Sequence, residues 1–586
     1  VVVAAVTLPA QQQLLPAAGV DTSWQGGLAL AQDQGLHFGR DIVFTYGPLG
    51  FLANSQLLVV WAGLAAVAFA LLLQVLLCGT LLHVTRDLPA PLAIVVAYVV
   101  AASAPPGYQA ELGLMIVLAL TLSMLGDREN DAPRWFPVAG GLSAATLVLL
   151  KPNVGMLAFA LAAIGVTSCS RHRVHALAEL AGSFVVAFVA IWLGTGNAAG
   201  DVVPWLRDAV QLAAGYTAGM ALEDPNRRQV LVRAVLLLLA TAALVWRVAA
   251  VAPPARRAAL ALAWAVFSFA MLKEGFVRHD GHIAIFASAV AAASLARGKV
   301  TRTAAAGIAV VASVWSLTAF GAQASTLFHA TDRLDRTASE WTLLTDRATR
   351  SATVSHRRAA MRRAIGLPPD VLRDLRSHTV DVQPTETSAV WSLGLRWRPQ
   401  PVFQSYAVLT PALDRVNADF LDSARAPERV LRLHPRWSID QRNPVFDAPN
   451  AFLALVCNYR HTFANSGIEV LAHATNRCGR PRSLGGRSVR AEEKVRVPHA
   501  RPHELVYARL HIPRPLGDRF REVVWRPAAQ PAIELDGASF RLIAATASGP
   551  LLMRMPPTAG FPASGLNDSE VETIRLAGVP TPVQID

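Results

Sequence analysis

Charge is scarce in this chain. Of its 586 residues only 16% are Asp, Glu, Lys or Arg, and 53% are hydrophobic. A soluble protein carries about 25% charged residues, so the deficit excludes a uniformly soluble globule. The deficit is also uneven. Residues 57–323 are apolar runs split by short polar links, and residues 330–586 read as ordinary soluble protein. Cysteine is scarce too, with four in all. Cys78 and Cys169 lie in or beside apolar runs, where they read as inert packing residues. Cys457 and Cys478 both lie in the polar half, and a disulfide between them is expected if that half is extracytoplasmic. Internal repeats, a P-loop, a dinucleotide fingerprint and a Cys/His cluster of metal spacing are all lacking, which leaves nucleotide-driven and zinc chemistry without a sequence basis. The opening stretch from Val1 is apolar and lacks a basic leader, so it reads as the remainder of a first membrane helix rather than a signal peptide.

What is present is a set of membrane-length apolar segments. About 20 apolar residues span a bilayer as a helix. Hydropathy predicts about eleven spans, over 1–15, 57–82, 90–104, 111–126, 137–151, 154–169, 177–195, 229–252, 258–273, 282–296 and 303–323, with Pro105-Pro106, Pro152 and Pro253-Pro254 punctuating their ends. Basic residues set the orientation. With the C-terminal half outside, the inner links hold Arg86, Arg128, Arg134, Arg171, Arg173, Arg256, Arg257, Arg297, Lys299 and Arg302, while the longer outer links are poorer in Lys and Arg for their length. That is the positive-inside pattern. The net charge of +13 divides between these links and an Arg-rich C-terminal half, which is either simply solvated or faces anionic lipid or polymer; nucleic acid is not expected as a partner.

The predicted fold is a mostly α membrane bundle over 1–325, an extracytoplasmic α/β domain over 326–485, and a β-rich domain over 486–586, read as a β-sandwich or jelly-roll. Within the second, strands are expected over Thr379–Val382, Val402–Tyr406, Arg429–Leu433 and Gly467–Leu471, and helices over Pro411–Ala424 and Asn450–Tyr459. Within the third, strand-like runs are Leu505–Ile512, Glu522–Trp525 and Ser539–Ala545.

This topology gathers acids, bases and histidines at the outer face, where ionisable groups at helix ends read as functional. The segment DTSWQGGLALAQDQGLHFGRDIVFTYGPLGF, Asp21 to Phe51, opens with an acid, continues as an amphipathic helix over Trp24–Gln34 that Gly35 ends, and then sets Asp41 before the aromatic stretch Phe44-Thr45-Tyr46-Gly47-Pro48-Leu49. Asp21 is either a general base or the N-cap of that helix. Asp41 is a second catalytic acid, a positioning group, or a turn residue. Two basic elements follow. One is Leu150-Lys151-Pro152-Asn153-Val154-Gly155. The other is Lys273-Glu274-Gly275-Phe276-Val277-Arg278-His279-Asp280-Gly281-His282. Lys151, Lys273, Arg278, His279 and His282 are candidate phosphate ligands; a snorkelling lysine and a solvated hairpin are the plainer readings. The spacing of His279, Asp280 and His282 fits no strong zinc rule, so no metal is assigned. Tyr108 and Glu111, in the turn between the third and fourth spans, are candidate acceptor contacts. The loop over 196–228 reads as a lid or as an amphipathic helix on the membrane surface. Trp397–Tyr406, WRPQPVFQSY, is either a glycan-stacking surface or a packed aromatic core.

The Asp21–Phe51 segment resembles the first outer loop of the C-type (GT-C) glycosyltransferases, in its leading acid, amphipathic helix, Gly35–Phe38–Asp41 step and aromatic-proline stretch. Thr22 follows Asp21 where that family often has a second acid. The resemblance implies an inverting glycosyltransferase of the bacterial cytoplasmic membrane. It would take sugar from a polyprenyl-phosphate donor and pass it to an envelope glycan, lipid or protein at the outer face. A divalent cation is the one cofactor left open. A transporter or flippase of a lipid-linked or anionic substrate, or a non-catalytic envelope assembly protein, are the alternatives.

Overall fold

Long runs of Leu, Val and Ala without charge fold as helices because every backbone polar group is then satisfied within the segment. In the computed structural model, which describes residues 4, 7, 13–105, 107–127, 131–222, 227–295, 302–319, 330–434, 438–465, 467–501, 503–555, 571–580 and 582–586, six helices are long and apolar enough to cross a membrane: Val60–Val84, Gln109–Gly126, Pro152–Cys169, Arg173–Gly194, Arg227–Ala250 and Pro254–Val277. The chain is a membrane protein on this evidence. Four further predicted spans form shorter apolar helices, Ala90–Ala102, Phe136–Leu150, Ile283–Ser294 and Thr303–Ala319. At 1.5 Å per residue these fall short of a hydrocarbon layer about 30 Å thick. Most of the first predicted span, together with Pro106 and the inner-link residues Arg128, Arg297 and Lys299, lies outside the described residues.

The chain divides into two compact units. One comprises residues 1–15, 46–199 and 222–354, and the other comprises residues 16–45, 200–221 and 355–586. The first is the helical bundle. Its outer helices turn large apolar side chains outward, with Leu72, Val186, Leu239 and Trp246 all more than half exposed, as lipid-facing surfaces do. One short helix lies inside: every residue of Ile283–Ser294 is buried. Interhelical contact there uses small hydroxyls. Ser288 Oγ lies 2.8 Å from Ser316 Oγ, and both donate to the carbonyl of Ser103, the kind of bond that holds helices together where no hydrophobic force does.

The second unit contains a five-stranded mixed sheet of β1 (Thr379–Gln383), β2 (Arg396–Trp397), β3 (Arg429–Leu433), β4 (Tyr459–Ala464) and β5 (Ile468–His473), in the order β2-β1-β3-β5-β4. β1 pairs in parallel with β2 and β3, and β5 runs antiparallel to β3 and β4. Helices Pro411–Leu421 and Pro449–Asn458 pack together beside it. The predicted strand at Val402–Tyr406 is instead a loop with a 3-10 turn at Ser405–Ala407. Its flanking prolines break the ladder, and Asn417 replaces a neighbouring strand: its Oδ1 accepts from Val402 N and its Nδ2 donates to Val402 O. The disulfide between Cys457 and Cys478 joins the end of helix Pro449–Asn458 to the segment after β5. Cys78 and Cys169 are free and buried.

The C-terminal region is strand-rich, with three small antiparallel sheets among the described residues. They are built from β6 (Arg487–Val489), β7 (Lys494–Arg496), β8 (Val506–Ala508), β9 (Leu510–His511), β10 (Ala532–Leu535), β11 (Ala538–Arg541), β12 (Leu551–Arg554), β13 (Thr573–Ala577) and β14 (Val583–Ile585). Glu522–Trp525, expected as a strand, belongs mostly to a helix, Leu516–Val524. Leu516, Phe520, Val523 and Val524 recur at helical spacing, and that period prevails over the β-branched pair at its end.

Candidate functional site

In the helical unit, a break between two helices projects Lys151. The residue before a proline is driven out of the α region, and Lys151 takes φ −147°, ψ 103° between Phe136–Leu150 and Pro152–Cys169. Its carbonyl accepts from Val154 N and Gly155 N, starting the second helix. The two helices meet so closely here that a Cβ on Gly155 would lie 2.0 Å from Val148 N. This explains the spacing of Lys151 and Gly155. Beyond the same break, Gly47 N and Leu49 N donate to the carbonyls of Leu150 and Leu149, so the aromatic-proline stretch closes the end of helix Phe136–Leu150 and places Tyr46 with its ring 5.8 Å from Lys151 Nζ.

Lys151 is fully engaged. Its Nζ donates to Glu111 Oε1 at 2.5 Å and to Glu274 Oε1 at 2.6 Å, and Glu111 is 1% exposed. The three groups come from helices far apart in sequence. Beside them the turn after helix Pro254–Val277 holds a second cluster. Arg278 Nε donates to Asp280 Oδ2 at 3.0 Å, and His282 Nδ1 lies 2.5 Å from Asp280 Oδ1. Burial pushes the Asp280 carboxyl up, but the His282 hydrogen bond and the charges of His282 and Arg278 outweigh it and hold Asp280 well below the usual carboxylate range. Asp280 therefore stays ionised, and the imidazole of His282 turns Nδ1 toward it. The ring of Tyr108 stands edge-on to His282 with centroids 5.9 Å apart.

The structure thus brings Tyr108, Glu111, Lys151, Arg278 and His282 of the sequence candidates into one neighbourhood, and adds Tyr46, Glu274 and Asp280. His279 turns elsewhere: it is 2% exposed, with its ring against Phe276 at 5.6 Å. Lys273 is half-buried beside Glu274 on the same helix. Adjacent residues on a helix point about 100° apart, so Lys273 does not share the direction of Glu274.

Asp21 and Asp41 belong to the other unit. Asp21 is not the cap of its helix, which runs Val20–Asp33 with Gly19 at the N-cap. It lies in the first turn, exposed, and accepts from Trp24 Nε1 at 3.2 Å. The capping carboxylate is Glu386, which sequence reasoning missed. It accepts from Gly19 N at 3.1 and 3.2 Å and from Ser23 Oγ at 2.5 Å, using the positive end of the helix. Asp41 closes the turn from His37, whose N donates to it at 3.0 Å, and is paired with both Arg40 and Arg425. Burial opposes its ionisation, but Arg40, the His37 amide and Arg425 prevail and hold it below its ordinary value. The aromatic residues of the loop pack onto the Trp397–Tyr406 segment: Phe44 lies 5.4 Å from Trp24 and 5.1 Å from Phe403, and Phe403 lies 5.5 Å from Trp397. With Trp397 and Phe403 both buried, that segment is a packed aromatic core rather than a glycan-stacking face.

Among the described residues, no three His, Cys, Asp or Glu side chains are grouped as metal ligands. Compared with family models, curated proteins and solved structures, the chain matches none.

Proposed function

We propose that the protein is a membrane glycosyltransferase that takes sugar from a polyprenyl-phosphate donor and passes it to a cell-envelope acceptor at the outer face of the bacterial cytoplasmic membrane. The observation that carries this reading is the meeting of Lys151, Glu111 and Glu274 with Arg278, Asp280 and His282 beside helix ends of the membrane bundle. Ionisable groups at such positions are costly to maintain without a use. Glycosyl transfer from a lipid phosphate needs cations for the departing phosphate and a base for the acceptor hydroxyl. The resemblance of the Asp21–Phe51 loop supports the same chemistry.

Charge matching refines the roles. Lys151 already faces two carboxylates, so it serves to hold Glu111 and Glu274 rather than to capture an anion. Arg278 and His282 share the single carboxylate of Asp280. The Arg278 guanidinium, with donors in a fixed fork, is the group assigned to the donor phosphate, with His282 beside it. On the resemblance alone, Asp21, an exposed carboxylate of the loop, is assigned as base.

The test is transfer of radiolabelled sugar by the purified, reconstituted protein from a panel of polyprenyl-phosphate sugars. Arg278→Gln should lower transfer at least 100-fold with the melting temperature preserved, and Asp21→Asn should abolish it. Transfer at the wild-type rate by Arg278→Gln would remove the phosphate assignment. Movement of intact donor across the vesicle membrane without sugar transfer would establish the transporter reading, which the buried Glu–Lys–Glu bridge also favours.

A further inference from the structure

Helix Leu516–Val524 presents an apolar face to its surroundings. Leu516 is 81% exposed, Phe520 70% and Val523 63%, with Val524 beside them. The spacing of four, three and one residues puts all of them on one side of an α-helix. Arg519 and Arg521 are exposed along the same element, and Trp525 follows at its C-terminal end. A large aromatic and three aliphatic side chains displayed together on one short helix mark a contact surface. Arg beside the stripe and Trp at its end is the composition of a helix lying in a membrane interface.

Its neighbour points to the same occupant. Helix Leu516–Val524 packs against helix Val202–Met220 of the same unit. That helix also exposes an apolar stripe, Val203 at 74%, Leu206 at 45% and Val210 at 64%, while Trp205 and Leu212 face inward. In the chain, Val202–Met220 stands between two membrane-length helices, Arg173–Gly194 and Arg227–Ala250. Residues 195–201 can reach at most about 25 Å, and residues 221–226 less. Both ends of Val202–Met220 are therefore joined by short links to helices long and apolar enough to cross a membrane, and the helix packed against it is held by the same links.

We propose that Leu516, Phe520, Val523 and Val524 insert into the headgroup–acyl boundary of the lipid bilayer, making helix Leu516–Val524 a second interfacial anchor beside Val202–Met220. The C-terminal strand-rich region then rests on the membrane through a surface of its own. This inference depends on the membrane character of the chain and not on the reaction proposed above.

Site-directed spin labelling of the full-length protein in nanodiscs tests it. The native cysteines do not interfere, since Cys78 and Cys169 are buried and Cys457 is joined to Cys478. Nitroxides introduced singly through Leu516→Cys, Phe520→Cys and Asp518→Cys are compared for collision with oxygen, which concentrates in lipid, and with a water-soluble nickel chelate. Oxygen should exceed nickel several-fold at positions 516 and 520, and the order should reverse at 518. Adding Phe520→Asp should return the label at 516 to water-like values without changing the melting temperature. Nickel access at 516 and 520 equal to that at 518 would overturn the proposal. So would protection at 516 and 520 without oxygen enrichment, with spin–spin broadening that vanishes on dilution by unlabelled protein; the occupant would then be a second copy of this chain. The depth comparison uses three single substitutions on an exposed helix, so it holds even if Phe520→Asp fails to fold.

Discussion

Lys151 Nζ stands between Glu111 Oε1 and Glu274 Oε1, one cation shared by two carboxylates from different helices. All three side chains are largely out of solvent. Breaking a buried pair leaves an uncompensated charge, which costs about 3–5 kcal/mol. Lys151→Met should therefore lower stability by that order, read as thermal unfolding in detergent. Adding Glu111→Gln and Glu274→Gln should recover much of the loss, because no unpaired charge then remains buried. A Lys151→Met protein that melts like the wild type would show that the bridge is not formed.

Asp381 gives a pH signature to the other unit. It is fully buried on β1, with Gln383 Nε2 donating to its Oδ2 at 2.8 Å. Burial pushes its carboxyl up to about 7, against the smaller opposing effects of Gln383 and of backbone amides. Between the unfolded value, near 4, and about 7, the folded state keeps a proton that the unfolded chain has lost. Stability from this group is therefore full below pH 4, falls as pH rises to 7, and is flat above. Asp381→Asn should flatten that slope and leave the protein more stable at pH 8, by on the order of a few kcal/mol. Denaturant titrations at pH 5 and pH 8 measure both effects.

Gly39 and Gly35 separate strain from crowding. Both have positive φ, +85° and +66°. A Cβ on Gly39 would meet Asp201 O at 2.5 Å and Trp205 N at 2.7 Å, whereas Gly35 has open space. Gly35→Ala should cost about 1–2 kcal/mol, the left-handed penalty alone. Gly39→Ala should cost more than about 3 kcal/mol, since the clash is with backbone. Equal melting temperatures for the two variants would contradict the close packing of the loop on residues 201–205.

The Cys457–Cys478 disulfide spans a sequence separation of 21. Closing a loop of that size restricts the unfolded chain by about 3 kcal/mol. The double variant Cys457→Ala, Cys478→Ala should lose stability of that order, and reductant should lower the wild-type melting temperature while leaving the variant unchanged.

The sequence was legible wherever one local property decides the outcome. Uncharged apolar length located the six helices long and apolar enough to cross a membrane and four shorter apolar ones, and Pro152 set the break that places Lys151. The α/β pattern around Thr379, Arg429 and Ile468 was visible because short strands there alternate with capped helices. Two segments misled for the same reason. Val402–Tyr406 and Glu522–Trp525 both carry β-prone residues, yet one had its backbone taken by the Asn417 side chain and the other fell on a helical stripe that begins at Leu516.

Composition and periodicity by themselves determined that this chain enters a membrane, roughly where its helices begin and end, and which residues carry charge near their ends. Which of those charges meet was decided only by tertiary packing. Glu111, Lys151 and Glu274 lie 40 and 123 residues apart, and nothing local links them. Likewise, Glu386 rather than Asp21 caps the first loop helix from 367 residues away. Electrostatic partners in a low-dielectric interior are set by three-dimensional distance, and a linear pattern of residue types does not contain that distance.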